Sequence, residues 1–211
     1  MTEGRDATAL LEESLLQAGK EDPWFFVRQF CITIDEHDHG HPYKPFPDLD
    51  YLRWVTYDWE ANPKYLLPKS RQMMMSWLMV ALHLWQFCSR EAQLIFFQSK
   101  KEEDACRLVD RAWFMYERLP EYVKKAAGAK KVYGKMISEE RNCTIWGIPQ
   151  GADQIRSNVP SAVLSDEMAF QNEAEMSFVA TLPALEGGGR YTGISSAHPG
   201  FFERLVMGEA A

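Results

Sequence analysis

Two short runs constrain this chain more than anything else in it. "AQLIFFQS" and "SAVLSDE" hold consecutive apolar residues, Leu94 to Phe97 and Ala162 to Leu164, rather than alternate ones, so a strand made from either is buried on both faces. Such strands need helices on each side of their sheet, and the intervening segments supply them. "KEEDACRLVDRAWFMYERL" reads as a long helix opened by acidic residues, as the positive end of its dipole prefers, and Ser76 to Phe87 reads as an amphipathic helix. "KMIS" and "CTIWGI" read as further strands, "EAEMSFVATLPAL" as a helix and "GRYTGISSA" as a last strand. The alternation predicts an α/β fold, a mostly parallel central sheet flanked by helices, with functional groups at the carboxyl ends of the strands.

Upstream, the first 20 residues read as a helix carrying Leu10, Leu11, Leu15 and Leu16 and ending near Gly19. In "EDPWFFVRQFC", Asp22 is the N-cap and Pro23 the first helical residue. "DEHDHGHPYKPFPD" holds Gly40, Pro42, Pro45 and Pro47 and is assigned to a loop. A boundary is drawn there: residues 1–44 form an N-terminal helical appendage and loop, and residues 45–211 the main domain. Tyr51 to Trp59 carries aromatics at helical spacing, and Trp54, Trp77 and Trp85 are assigned to the core.

No stretch reaches the roughly 18 apolar residues that a membrane span needs, and the start lacks the basic-then-apolar order of a signal peptide, so a soluble intracellular protein is expected. Cys31, Cys88, Cys106 and Cys143 form no CxxC pair, which argues against a zinc knuckle or a disulfide framework. A net charge of −7 argues against binding nucleic acid by bulk electrostatics and leaves room for a local basic site. Lys124, Lys125, Lys130, Lys131 and Lys135 in "YVKKAAGAKKVYGK" either touch DNA phosphates or sit on a solvated loop. His37, His39 and His41 fall in a Gly/Pro loop without the fixed geometry of a metal site, and are read as solvated.

The chemistry concentrates in two places. Tyr65 to Leu67 is a short apolar run, followed by the polar loop "PKSRQ" and a helix starting at Met75 or Ser76. That is the order of a phosphate-binding loop, where backbone N–H groups and a helix N-terminus hold phosphates. Laying G-x-x-x-x-G-K-[ST] over residues 69–76 puts Lys69 on the first glycine, Met74 on the second, Met75 on the lysine and Ser76 on the hydroxyl. Only the serine matches, and a buried Met-rich helix start behind a cationic loop gives the same letters. The second place is "AVLSDEMAF", about ninety residues on, with Asp166 and Glu167 at the end of a buried strand. Asp166 there can hold Mg2+ while Glu167 orients or deprotonates a water. Alone, the two acids are equally a helix cap and a first-turn acid. Loop and acids together favour nucleotide hydrolysis.

"PKSRQMMMSW", "VLSDEMAF" and "TGISSAHPG", in this order and at these gaps, resemble the ATPase motor domain of tailed-phage terminase large subunits, over roughly residues 45–202. The resemblance implies a P-loop NTPase of the additional-strand, catalytic-glutamate type that hydrolyses ATP with Mg2+. It implies Lys69 on the β/γ-phosphates within a loop Ser70, Arg71, Gln72, Met73, Met74, Met75, Ser76; Ser76 and Asp166 on the magnesium; and Glu167 in catalysis. Ser195 and Ser196 resemble the motif that couples hydrolysis to DNA movement. Arg71 is placed for nucleotide contact and Arg156 where the family carries an arginine proposed to act on a neighbouring subunit, with cis versus trans left open. Tyr43, Phe46 and Tyr51 fall where the family places adenine contacts. The implied partners are double-stranded viral DNA, a portal protein, a small terminase subunit and further copies of the chain in a ring, in the host cytoplasm and on the procapsid portal. The carboxylate-rich nuclease that normally follows the motor is not in this sequence, so no nuclease activity is expected of it. Where the family usually has glycine this chain has Met74, and a left-handed conformation there would cost about 1 to 2 kcal/mol. Weak ATP binding by the isolated domain is therefore expected. A helicase-type ATPase and a non-hydrolysing module that docks on portal or DNA remain the alternatives.

Overall fold

The computed structural model describes residues 3–209. The chain opens with α1 (Glu3–Glu21) and α2 (Pro23–Phe30). Asp22 caps α2 as expected, its carboxylate accepting from the N–H of Trp24 at 2.8 Å and of Phe25 at 3.1 Å. Gly19 does not end α1. It lies inside the helix because Phe30 comes so near that a Cβ would stand 2.5 Å from the ring, and its carbonyl accepts from Trp85 Nε1 at 2.9 Å. Next, β1 (Ile32–Ile34) and β2 (Tyr43–Pro45) pair antiparallel, so part of the stretch read as loop is a strand. Pro45 is tolerated because a two-stranded ribbon is all edge.

After α3 (Asp50–Ala61) come β3 (Lys64–Pro68), α4 (Met75–Ser89), β4 (Leu94–Ser99), α5 (Glu102–Glu117) and α6 (Glu121–Ala127). Then follow β5 (Lys130–Val132), β6 (Lys135–Ser138), β7 (Cys143–Pro149), α7 (Asp153–Arg156) and β8 (Ala162–Asp166). A single 3-10 turn, Met168–Phe170, leads to α8 (Ala174–Glu186), β9 (Arg190–Ser195) and α9 (Phe201–Val206). The seven-stranded sheet has the order β3-β9-β8-β4-β7-β6-β5. Strands β3, β9, β8, β4 and β7 run parallel; β6 pairs antiparallel with β7, and β5 antiparallel with β6. One fact of this order positions the site: β9, late in the sequence, is inserted between β3 and β8. Pro68 pairs with Ser195 and Ile194 with Asp166, so the carboxyl ends of all three strands are level.

The expected amphipathic helix α4 is buried at every position from Leu78 to Cys88. A helix apolar all round belongs inside, and α4 packs on the sheet and on α1, α2, α3, α5 and α6. One core cluster accordingly runs from Trp24, Phe26 and Phe30 through Leu78 and Leu82 to Ile95 and Leu164. The other face of the sheet carries a second cluster of Phe96, Val163, Phe178, Tyr191 and Phe202. Trp85 is in the core and Trp77 half-buried against it, but Trp54 is 73% exposed. The buried stripe of α3 is Leu52, Thr56 and Trp59, and Trp54 points away from it. Among the described residues no helix is long and apolar enough to cross a membrane.

Candidate active site

The loop after β3 is fixed at its start, where the Lys69 N–H donates to the Ser195 carbonyl at 2.8 Å. It ends at Met74, which caps α4 with φ 56° and ψ 10° and no side-chain cap bond. Gln72 is left-handed as well, at φ 61°. The position of the missing glycine thus does take the conformation that glycine adopts without strain, and each such side chain costs about 1 to 2 kcal/mol. Met75 is buried and Met74 packs partly against the core, which holds the turn in place; Met73 faces out. Because α4 begins at Met75, its first-turn N–H groups open toward this loop.

Across the sheet edge the acids meet the loop. Ser76 Oγ donates to Asp166 Oδ1 at 3.2 Å, and Lys69 Nζ donates to Glu167 Oε1 at 3.0 Å. Asp166 Oδ1 also accepts the Glu167 N–H at 3.0 Å. Glu167 has φ 52°, so the chain turns sharply at this acid and swings its carboxylate back to Lys69. Strained backbone gathered at one spot is a mark of function rather than of stability. Asp166 is only 8% exposed, and burial pushes its carboxyl above the usual range, while the charges of Lys69 and Arg111 and the Ser76 hydroxyl pull it back. The Ser76 hydroxyl and Asp166 carboxylate are hard oxygen donors side by side, a set that fits Mg2+.

Ser195 ties the two halves together. Its carbonyl takes the Lys69 N–H, and its Oγ accepts from the Ala169 N–H at 3.1 Å, in the turn after the acid pair. Ser196 is half-buried beside it. The structure therefore brings Lys69, Ser76, Asp166, Glu167 and Ser195 into one hydrogen-bonded cluster. Ser70, Arg71 and Gln72 are exposed on the loop, and Arg156 is exposed at the end of α7, so neither arginine joins the cluster.

Sequence reasoning missed two residues. Gln171 Nε2 donates to Ser165 Oγ at 3.0 Å and to the Asp166 carbonyl at 2.8 Å, which clamps the end of β8. Arg111, on α5, lies 4.7 Å over the Trp77 ring; burial lowers its basicity while the charges of Asp166 and Glu36 oppose that. Its signal was a cation set against the buried stripe Leu108, Ala112 and Met115. Beside the loop a cavity of about 550 Å³ opens, lined among others by Ile34, Glu36, Lys44, Gln72, Met74 and Trp77. Phe46 is wholly buried in the core and Tyr43 packs on Phe114 and Arg118, so these aromatics lie outside the cavity lining.

The lysine-rich stretch is α6 and the β5–β6 hairpin, and its charges are largely engaged. Lys124 pairs with Glu121, Lys130 with Glu139 and Lys131 with Asp110, while Lys135 lies over the Trp146 ring. His37, His39 and His41 are exposed, and among the described residues no three or more His, Cys, Asp or Glu side chains come together as a metal site.

A loop after one parallel strand, an acid pair after another and an extra strand between them make this a P-loop NTPase fold of the additional-strand class. Among solved structures, that fold is the fold of tailed-phage large terminase ATPase domains. The HK97 bacteriophage large terminase superposes with a TM-score of 0.60 at 16% identity, over 84% of this chain and 37% of its own length. The large terminase ATPase domain of Thermus phage P74-26, as an arginine-to-alanine mutant, gives 0.57 at 15% identity over 76% of this chain and 68% of that one. The large terminase of thermophilic bacteriophage D6E gives 0.51 at 13% identity over 79% and 45%. This chain thus spans about a third of the HK97 protein. No protein-family model matches the sequence, and no curated protein does.

Proposed function

We propose that this chain is the ATP-hydrolysing motor that drives viral double-stranded DNA into a preformed capsid. The observation that carries the reading is the cluster in which Lys69 holds Glu167 and Ser76 holds Asp166, joined through Ser195 to the end of β9. In this reading Lys69 and the backbone of Ser70 to Ser76 take the phosphates of ATP. Ser76 and Asp166 hold Mg2+, which when bound neutralises phosphate charge. Glu167 accepts the proton of the attacking water. Lys69 and Glu167 are 3.0 Å apart, so a phosphate that draws the lysine away also frees the base. Ser195 and Ser196 pass the change on, because Ser195 touches both the loop and the turn behind Glu167. Arg71 and Arg156 are the arginines offered to the nucleotide, of their own or of a neighbouring subunit. The 550 Å³ cavity, with Met74 and Trp77 in its lining, has the size and apolar walls for a nucleoside.

In this reading residues 45–211 are the motor and residues 1–44 its helical appendage. Its partners are the viral DNA, a portal protein, a small terminase subunit and further copies in a ring on the procapsid portal, in the host cytoplasm. A second reading, a non-hydrolysing docking module, is favoured by one observation, the strained Met74 in place of glycine. A helicase-type ATPase shares the acid pair. The deciding experiment compares DNA-stimulated phosphate release by wild type and Glu167→Ala in the portal-assembled state, with nucleotide binding measured alongside. The variant should bind ATP and release no phosphate. Near-zero turnover by both proteins would select the docking module.

A further inference from the structure

Arg111 belongs to no motif of the sequence, yet α5 carries it to the edge of the site. Its guanidinium carbon lies 4.7 Å from the centre of the Trp77 ring, and Trp77 directly follows Ser76. The side chain is half-buried, and no hydrogen bond or ion pair to it is present among the described residues. Its charge interacts with Asp166, at the end of β8, and with Glu36, in the wall of the cavity. The guanidinium therefore packs on a ring that lines the cavity and lies within reach of the charge of Asp166. The ring contact engages the face of the guanidinium and none of its N–H donors, which stay available to a ligand. Contact with the ring restrains the guanidinium, so its planar fork of donors is held beside Trp77 before anything binds.

We propose that Arg111 donates to anionic oxygens of a nucleotide polyphosphate lying between Asp166 and the cavity, a proposal that rests on the nucleotide reading of the site. An anion there supplies the acceptors that the protein withholds, and the bond is charge-assisted on both sides. Arg111 is then a binding residue contributed by α5, outside the phosphate loop, and it reads phosphates rather than base.

The test measures binding of ATP, ADP and AMP, each with magnesium, to the full chain by displacement of a fluorescent nucleotide. Arg111→Met keeps an apolar stem over Trp77 and removes the fork. It should weaken ATP and ADP about tenfold and AMP less than about twofold. Arg111→Lys keeps the charge without the fork and should fall between the two proteins. Unchanged ATP affinity in Arg111→Met, or an equal loss for AMP, overturns the proposal. If Arg111→Met does not fold, Arg111→Lys decides: wild-type ATP affinity in it overturns the proposal, and a loss confined to ATP and ADP supports it. Failure of the wild type to bind any nucleotide removes the reading of the site itself. ATP binding by wild type and Glu167→Ala, together with an inert Arg111→Met, sinks the Arg111 role alone.

Discussion

At the scale of single residues, the site combines strain and charge in ways that predict opposite behaviour. Met74 is left-handed and half-buried, so replacing it by alanine loses packing and keeps the strained φ, whereas glycine loses the same packing and relaxes the turn. Met74→Gly should therefore be more stable than Met74→Ala by about 1 kcal/mol, despite the usual preference for alanine at a helix end. Urea titrations of the two variants check this, and an alanine variant as stable as the glycine one would show that the turn is unstrained. Lys69 and Glu167 behave differently. The lysine is largely covered but the glutamate is 43% exposed, so their ion pair is screened and contributes under about 1 kcal/mol. Lys69→Ala should leave the denaturation midpoint nearly unchanged while removing the proposed ATP hydrolysis; a large loss of stability would make the pair structural instead.

At the scale of elements, α4 decides how much could be read in advance. The buried strands β4 and β8 were legible because an apolar run with no alternation leaves them nowhere but the sheet centre. The helix was legible too, but its burial was not, since neither the sequence nor its periodicity says that α1 and α2 cover the face left by α5. Gly19 misled for a related reason: glycine reads as a stop, yet here it makes room for Phe30 across the α1–α2 corner. Gly19→Ala should thus destabilise by about 1 to 3 kcal/mol through overpacking. A neutral result in thermal melts would mean that the Phe30 ring moves aside.

The burial of α4 also has a pH consequence. His83 is packed between Trp59 and Phe97, with Nδ1 bonded to the Met79 carbonyl and Nε2 without a partner. Burial holds its pKa down to about 3, from 6.5. Between those values the unfolded chain binds a proton that the folded chain refuses, so stability falls as pH drops below about 6.5, by at most about 1.4 kcal/mol per unit. His83→Leu removes that proton. Its stability should decline less steeply than that of the wild type from pH 6.5 to 4.5, and parallel curves would show that His83 is neutral to folding.

At the scale of the whole molecule, what was legible is the order of the strands' roles and what was not is the charge surface. The loop, the acid pair and the "ISSA" serines are far apart in sequence, and only the insertion of β9 between β3 and β8 puts them level. Resemblance anticipated that insertion; spacing alone did not. The basic stretch, by contrast, left two readings open, because the sequence cannot show where acids of other elements fall. In the fold Lys131 meets Asp110 of α5, Lys130 meets Glu139 across the hairpin, and Lys124 meets Glu121 in its own helix. DNA binding gains chiefly by releasing counterions from phosphates, and lysines already paired to carboxylates release few. A chain of net charge −7 with its lysines so engaged has little to offer a polyanion as a monomer. Its dissociation constant for double-stranded DNA at physiological salt should be weaker than about 10⁻⁴ M, and Lys130→Ala with Lys131→Ala should shift it by less than about threefold. Fluorescence anisotropy on the monomer measures both. Micromolar binding that these two substitutions abolish would place a DNA grip on the β5–β6 hairpin; the expected result leaves that hairpin without one.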